Sequence, residues 1–280
     1  MDFFYHKRQA VLALGMMIGM MVFGHTSWAQ TLEEQRLQSR QKFNFLNDVT
    51  LDTNPQPLDS IDNSSGMTYT LGIKYSPETI KRSNVWLLTR ISKRFNGEEI
   101  LGLLDTIVRF EKSVDPFMGW APRFRVDVTL PTNEFMHEQT SFVGAGSAQV
   151  RLGRSLLTPK LYFLWLNTLR WNFHQYRVSE IGAVNIQNTL SSFGVANYSV
   201  TEKLQVGAEF GWSWARTYGG NIRNNYLLGG YASYVITPEW SATMGASTQA
   251  SPLTADGQSS NIKFFNERFT TTYLSVTHFM

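Results

Sequence analysis

Apolar and polar residues alternate along most of this chain. Met67, Tyr69, Leu71, Ile73 and Tyr75 interleave without a fault with Thr68, Thr70, Gly72, Lys74 and Ser76, and Pro77 ends the run. A period of two places the two sets on opposite faces of a strand, whereas a helix would need a period near 3.6. The same alternation marks Phe43 to Asp52, with Leu46 and Asn47 out of step. It recurs in Val85, Leu87 and Ile91 against Arg90, Ser92 and Arg94, and in Phe124, Val126, Val128 and Leu130 against Arg123, Arg125, Asp127 and Thr129. Leu101 to Lys112 is less regular: Leu104, Val108 and Phe110 face away from Asp105, Arg109 and Glu111, and its first residues fit a helical turn equally well.

The second half repeats the pattern. Ser141 to Leu156 has Phe142, Ala148, Val150, Leu152 and Leu156 in the apolar phase, and Ser147, Gln149, Arg151 and Ser155 in the other. Leu161 to Tyr176 sets Phe163, Trp165, Leu169, Trp171 and Phe173 against Thr168, Arg170, Asn172 and His174. A segment near Asn188 to Val200 alternates poorly, and Leu204 to Trp214 alternates best of all. Asn225 to Ile236, Trp240 to Ser247 and about Glu267 to Met280 complete the series. The total is about twelve strands, within two, each of roughly 10 residues, the length a tilted strand needs to cross a bilayer.

The connections alternate as well. Thr53 to Gly66, Pro131 to Thr140, Val178 to Gln187 and Ala250 to Asn266 are long and polar, whereas Leu157 to Lys160, Thr201 to Lys203 and Thr237 to Glu239 are short; Pro77 to Ser83 and Val114 to Pro122 are intermediate, and Asn96 to Glu99 is a short exception on the long side. This is the arrangement of an all-β, antiparallel up-and-down transmembrane β-barrel, with short turns at one end and long loops at the other. A soluble sandwich also alternates. Against it stands the placement of Tyr69, Tyr75, Trp165, Trp171, Trp212, Trp214, Tyr226 and Trp240 toward strand ends in the apolar phase, where aromatic girdles meet the membrane interfaces.

Composition then bounds the chemistry. Residues 1–29 pair Lys7 and Arg8 with an apolar run from Ala10 to Phe23 and small residues at Ser27 and Ala29, which predicts a signal peptide cleaved before Gln30. Residues 30–42 form a short polar lead, and 43–280 the barrel. With 0 cysteines there is no disulfide framework, lipid attachment, thiol nucleophile or cysteine zinc site. A formal net charge of +3 before cleavage gives no support to nucleic-acid binding. The alternation also reconciles 42% hydrophobic residues with a mean hydropathy of −0.21, because only every second position faces lipid.

The closing run, Tyr273, Leu274, Ser275, Val276, Thr277, His278, Phe279 and Met280, resembles the C-terminal strand of bacterial outer-membrane proteins, except that the aromatic is penultimate. The resemblance implies export to the outer membrane, contact with its lipid, recognition of that strand by the barrel-assembly machinery, and both termini in the periplasm. It names no particular barrel family. Enzymatic barrels are not matched. His137, Glu138, Gln139, Thr140 and Ser141 lack the His-x-Ser-Asn-Gly run of outer-membrane phospholipases, and no omptin-like grouping of acids with a histidine stands out. No metal-ligand spacing surrounds His137, His174 or His278, and no cofactor is implied.

The remaining chemistry lies in the polar phase. Lys74, Arg90, Arg94, Arg109, Arg125, Arg151 and Arg170 slightly outnumber Asp48, Asp105, Glu111, Asp127 and Glu209. These charges either pair across the interior and plug it, or line a narrow pore biased toward anions. The reading is a non-enzymatic passive channel for small hydrophilic solutes. A non-conducting barrel that binds a partner through its loops, and a lipid-modifying enzyme, stand as alternatives.

Overall fold

The computed structural model describes residues 43–56, 64–95, 101–156, 158–180, 182–253 and 259–280. The expected signal peptide and periplasmic lead lie outside them. Twelve strands follow one another: β1 (Phe43–Thr53), β2 (Gly66–Tyr75), β3 (Ser83–Arg94), β4 in two pieces (Leu101–Leu103 and Thr106–Ser113), β5 (Ala121–Leu130) and β6 (Phe142–Leu156). The second half comprises β7 (Leu161–His174), β8 (Ile186–Ser199), β9 (Leu204–Thr217), β10 (Ile222–Val235), β11 (Trp240–Ala250) and β12 (Thr270–Phe279). A short helix, α1 (Glu134–Thr140), occupies the β5–β6 connection.

Each strand pairs antiparallel with its neighbours in sequence, and β1 closes the ring, with Val49 opposite both Tyr69 of β2 and Val276 of β12. Closure leaves no free edge, so every strand donates and accepts on both sides, which is what a membrane-spanning sheet requires. The outward phase is apolar and exposed: Phe45, Leu87, Val126, Phe173, Phe210 and Leu274 are examples. Such a belt would be unstable in water and is at home in hydrocarbon. The molecule is therefore an outer-membrane-type barrel and not a sandwich, whose apolar faces would be buried against each other.

Three local departures from simple alternation have physical causes. Phe142, expected outward, is inward and only 4% exposed, because the register with β7 slips between Phe142 and Gly144. Gly144 absorbs the slip at φ 152°, where an L side chain is strained. In β4 the ladder breaks at Leu104 and Asp105: the Leu104 N–H still donates to the Arg90 carbonyl at 2.8 Å, while the Asp105 carboxylate leaves the sheet to accept the Asn133 N–H at 3.2 Å. The last strand begins at Thr270 and not near Glu267, because the N–H groups of Phe269 and Thr270 turn back onto the Asn266 carbonyl.

Candidate functional site

Residues directly opposite each other in an antiparallel ladder share a face, so the pairing register alone assembles the inner wall. One inward row runs Lys74, Trp86, Arg109, Asp127, Ser147, Arg170, across β2 to β7. The adjacent row runs Asn84, Glu111, Arg125, Gln149, Thr168, Ser191, across β3 to β8. All eleven charged candidates occupy inward positions of the ladder or, for Asp105, its break.

Contacts within this wall are dense. The Asp127 carboxylate accepts from Arg109 Nε at 3.1 Å and from Arg125 at 2.9 and 2.5 Å, so one acid holds two guanidinium groups. Arg151 lies 3.9 Å from Glu111. Arg170 donates to Asn172 at 2.8 Å and to Thr129 at 3.4 Å. The Lys74 ammonium sits 5.5 Å from the centre of the Trp86 ring, within cation–π range. Arg90 faces Thr70, which in turn faces Asp48; Asp48 itself accepts from Ser275 at 2.5 Å, Thr277 at 2.7 Å and Thr50 at 2.9 Å. Arg94 stands at the long-loop end of β3, opposite Gly66.

The other half of the wall interleaves small hydroxyl side chains with larger apolar ones. Ser213, Ser233, Ser241, Thr243, Ser247 and Ser275 point inward from β9 to β12. Glu209 brings a carboxylate into this half. It is 7% exposed, forms no ion pair among the described residues, and its Oε1 accepts no hydrogen bond. The inner face is thus divided, with arginines and their acids on β3 to β7, and on β8 to β12 hydroxyls, glycines and apolar side chains with a carboxylate that is unpaired among the described residues.

The inner face also carries apolar residues that alternation alone does not assign to it. Leu164, Leu166, Phe193, Val195, Leu227, Tyr231 and Tyr273 form one cluster, with Tyr162 packed against it. Leu46, Trp86, Leu88 and Phe279 form another, beside Ile107. The signal was present where both phases of a strand are apolar, as in Leu161 to Leu166 and Val85 to Leu88. The rings lie against glycines: a Cβ on Gly207 would meet the Tyr231 ring at 2.4 Å, and one on Gly211 would meet Phe193 at 1.9 Å. Aromatic bulk is thereby laid along the wall.

On the outer face, Tyr69, Trp171, Trp212, Trp214 and Tyr226 lie toward the long-loop ends of their strands, and Tyr75, Trp165 and Trp240 toward the short-turn ends. Tyr226 differs from the rest in being 3% exposed. Phe43, Tyr198 and Tyr234 extend the second band. The three histidines among the described residues are engaged separately. His137 Nδ1 lies 2.8 Å from the Phe142 carbonyl, His174 meets Phe142 and Tyr218 edge-on, and His278 stacks on Trp240 at 4.2 Å. Among the described residues no group of acids and histidines is placed to hold a metal ion.

Solved structures supply parallels to this geometry. An outer membrane channel from Pseudomonas putida F1 superposes with a TM-score of 0.62 at 10% identity, covering 85% of this chain and 95% of that one. The chain has the fold of outer-membrane porins. The NanC porin matches with a TM-score of 0.53 at 11% identity over 84% and 99% of the two chains. The KdgM porin in complex with oligogalacturonate matches with 0.51 at 9% identity over 83% and 98%. No protein-family model matches the sequence, and no curated protein does. At such identities the likeness speaks for the fold.

Proposed function

We propose that the barrel is a passive channel for small hydrophilic solutes with a preference for anions. The observation that carries this reading is the divided inner wall. Eight strands enclose only enough room for side chains, and twelve enclose more. Half of the circumference presents serine, threonine and glycine, and rings such as Tyr231 and Phe193 lie against Gly207 and Gly211, which supports a lumen less crowded on that side than on the arginine side. The path runs between that wall and the arginines. Lys74, Arg90, Arg94, Arg109, Arg125, Arg151 and Arg170 line it with Asp105, Glu111, Asp127 and Glu209, and the cationic excess favours anions. In the membrane the short turns and both termini face the periplasm, and the long loops face outward, after export directed by residues 1–29.

Single-channel recording in planar bilayers tests the reading, with discrete openings as the expected result. In a salt gradient, the double substitution Arg90→Glu with Arg125→Glu should move the reversal potential toward cation selectivity. Absence of openings from correctly folded protein would overturn the channel. An unchanged reversal potential would remove these arginines from the path.

A further inference from the structure

Residues 261–266, within the connection between β11 and β12, fold onto the outside of the barrel. Tyr226 and Thr248 occupy outward positions, opposite Trp212 and Leu228 respectively, yet they are 3% and 0% exposed. What covers them is the segment 261–266. The Tyr226 hydroxyl donates to the Asn261 carbonyl at 2.9 Å and accepts the Lys263 N–H at 3.0 Å. The Thr248 hydroxyl donates to the Phe264 carbonyl at 2.6 Å, and the Asn266 N–H donates to the Thr270 hydroxyl at 2.7 Å. Four hydrogen bonds thus hold the segment's backbone against the wall just where the outer aromatic band passes.

Its side chains point away from the barrel. Ile262, Phe264 and Phe265 are 49%, 84% and 58% exposed, and Lys263, between them in sequence, is exposed as well. A phenylalanine on a loop tip has no reason to be presented to water. Here, however, it stands outside the wall and continues the apolar belt, with a lysine whose stem is long enough to reach headgroups. We propose that residues 262–265 are an interfacial anchor that embeds Phe264 and Phe265 in the leaflet at the long-loop end, and that Lys263 engages an anionic lipid headgroup there. The inference rests on the membrane placement and orientation proposed above, but not on whether the barrel conducts.

The natural absence of cysteine allows a direct test. Phe264→Cys is labelled with a nitroxide and the protein reconstituted into phosphatidylcholine vesicles, with Met244→Cys on the outer wall and Lys81→Cys in a short turn as lipid and water references. The ratio of oxygen to nickel-chelate accessibility at position 264 should exceed that at 81 several-fold and approach that at 244. Adding phosphatidylglycerol should raise it further, and Lys263→Glu should abolish that rise. A value at 264 equal to that at 81, with 244 still reading as lipid, would overturn the anchor alone. Water-like values at both 244 and 264 would overturn the membrane placement as well. Spin–spin broadening at 264 that disappears on dilution with unlabelled protein would assign the patch to a second copy of the chain instead.

Discussion

Asp127 and Glu209 are both inward carboxylates with almost no exposure, yet their surroundings give opposite expectations. Asp127 is shared by Arg109 and Arg125, and Asp127→Asn would leave two guanidinium groups without their counter-charge. Breaking one side of a buried ion pair costs roughly 3–5 kcal/mol. The variant should therefore unfold at markedly lower urea concentration in detergent or vesicles, and the surviving channel should be more anion-selective. Glu209 has no such partner among the described residues, so Glu209→Gln removes an unpaired charge without stranding another. It should hold or raise the unfolding midpoint while also increasing anion selectivity. If Glu209→Gln destabilised the barrel as much as Asp127→Asn, the carboxylate would have to be engaged in a way the wall does not display. Both contrasts were half legible in sequence. The alternating phase identified each residue as inward, but which acid would meet which arginine depends on cross-strand register, and a single strand's pattern carries no register.

At the scale of strands, alternation was most legible where only one phase is apolar. In β2, β5 and β9 the faces follow directly from residues such as Tyr69 against Thr70, or Val126 against Arg125 and Asp127. It failed where an inserted residue flips the phase, as at Phe142, and was incomplete in β7, where Leu164 and Leu166 fill the inner phase beside an equally apolar outer one. Period two records two faces; it does not record that a large inward ring needs a glycine on the next strand. That requirement appears only in the folded sheet, where Phe193 lies over Gly211. Gly211→Leu should consequently push the Phe193 ring off the wall and into the lumen. The barrel should still form, because the β9 backbone pairing is unaffected, and single-channel conductance should fall by more than half. Restoring space with Gly211→Leu combined with Phe193→Ala should recover most of the current. A double variant that conducts no better than the single one would place the obstruction elsewhere.

For the whole molecule, the decisive event is closure of β12 onto β1. The backbone groups of Met280 and Phe45 exchange hydrogen bonds at 2.8 and 2.9 Å, so the chain is paired to its last residue. Met280, not the penultimate Phe279, takes the outward terminal position, and Phe279 turns inward to pack with Leu46, Trp86 and Leu88 on β1 and β3. The aromatic that made the closing run resemble an outer-membrane C-terminal strand therefore works on the inside of the seam. This assignment separates two substitutions. Phe279→Ala removes a buried ring that joins the two ends of the sheet, a change that costs roughly 3–5 kcal/mol, and should lower the temperature at which the compact, unboiled gel band converts to the slower unfolded one. Met280→Ala trims an exposed side chain and should leave that conversion temperature unchanged. Semi-native electrophoresis across a temperature series measures both. Equal effects from the two substitutions would mean that the inner cluster does not hold the seam, and a large effect from Met280→Ala alone would return the terminal role to the lipid-facing side.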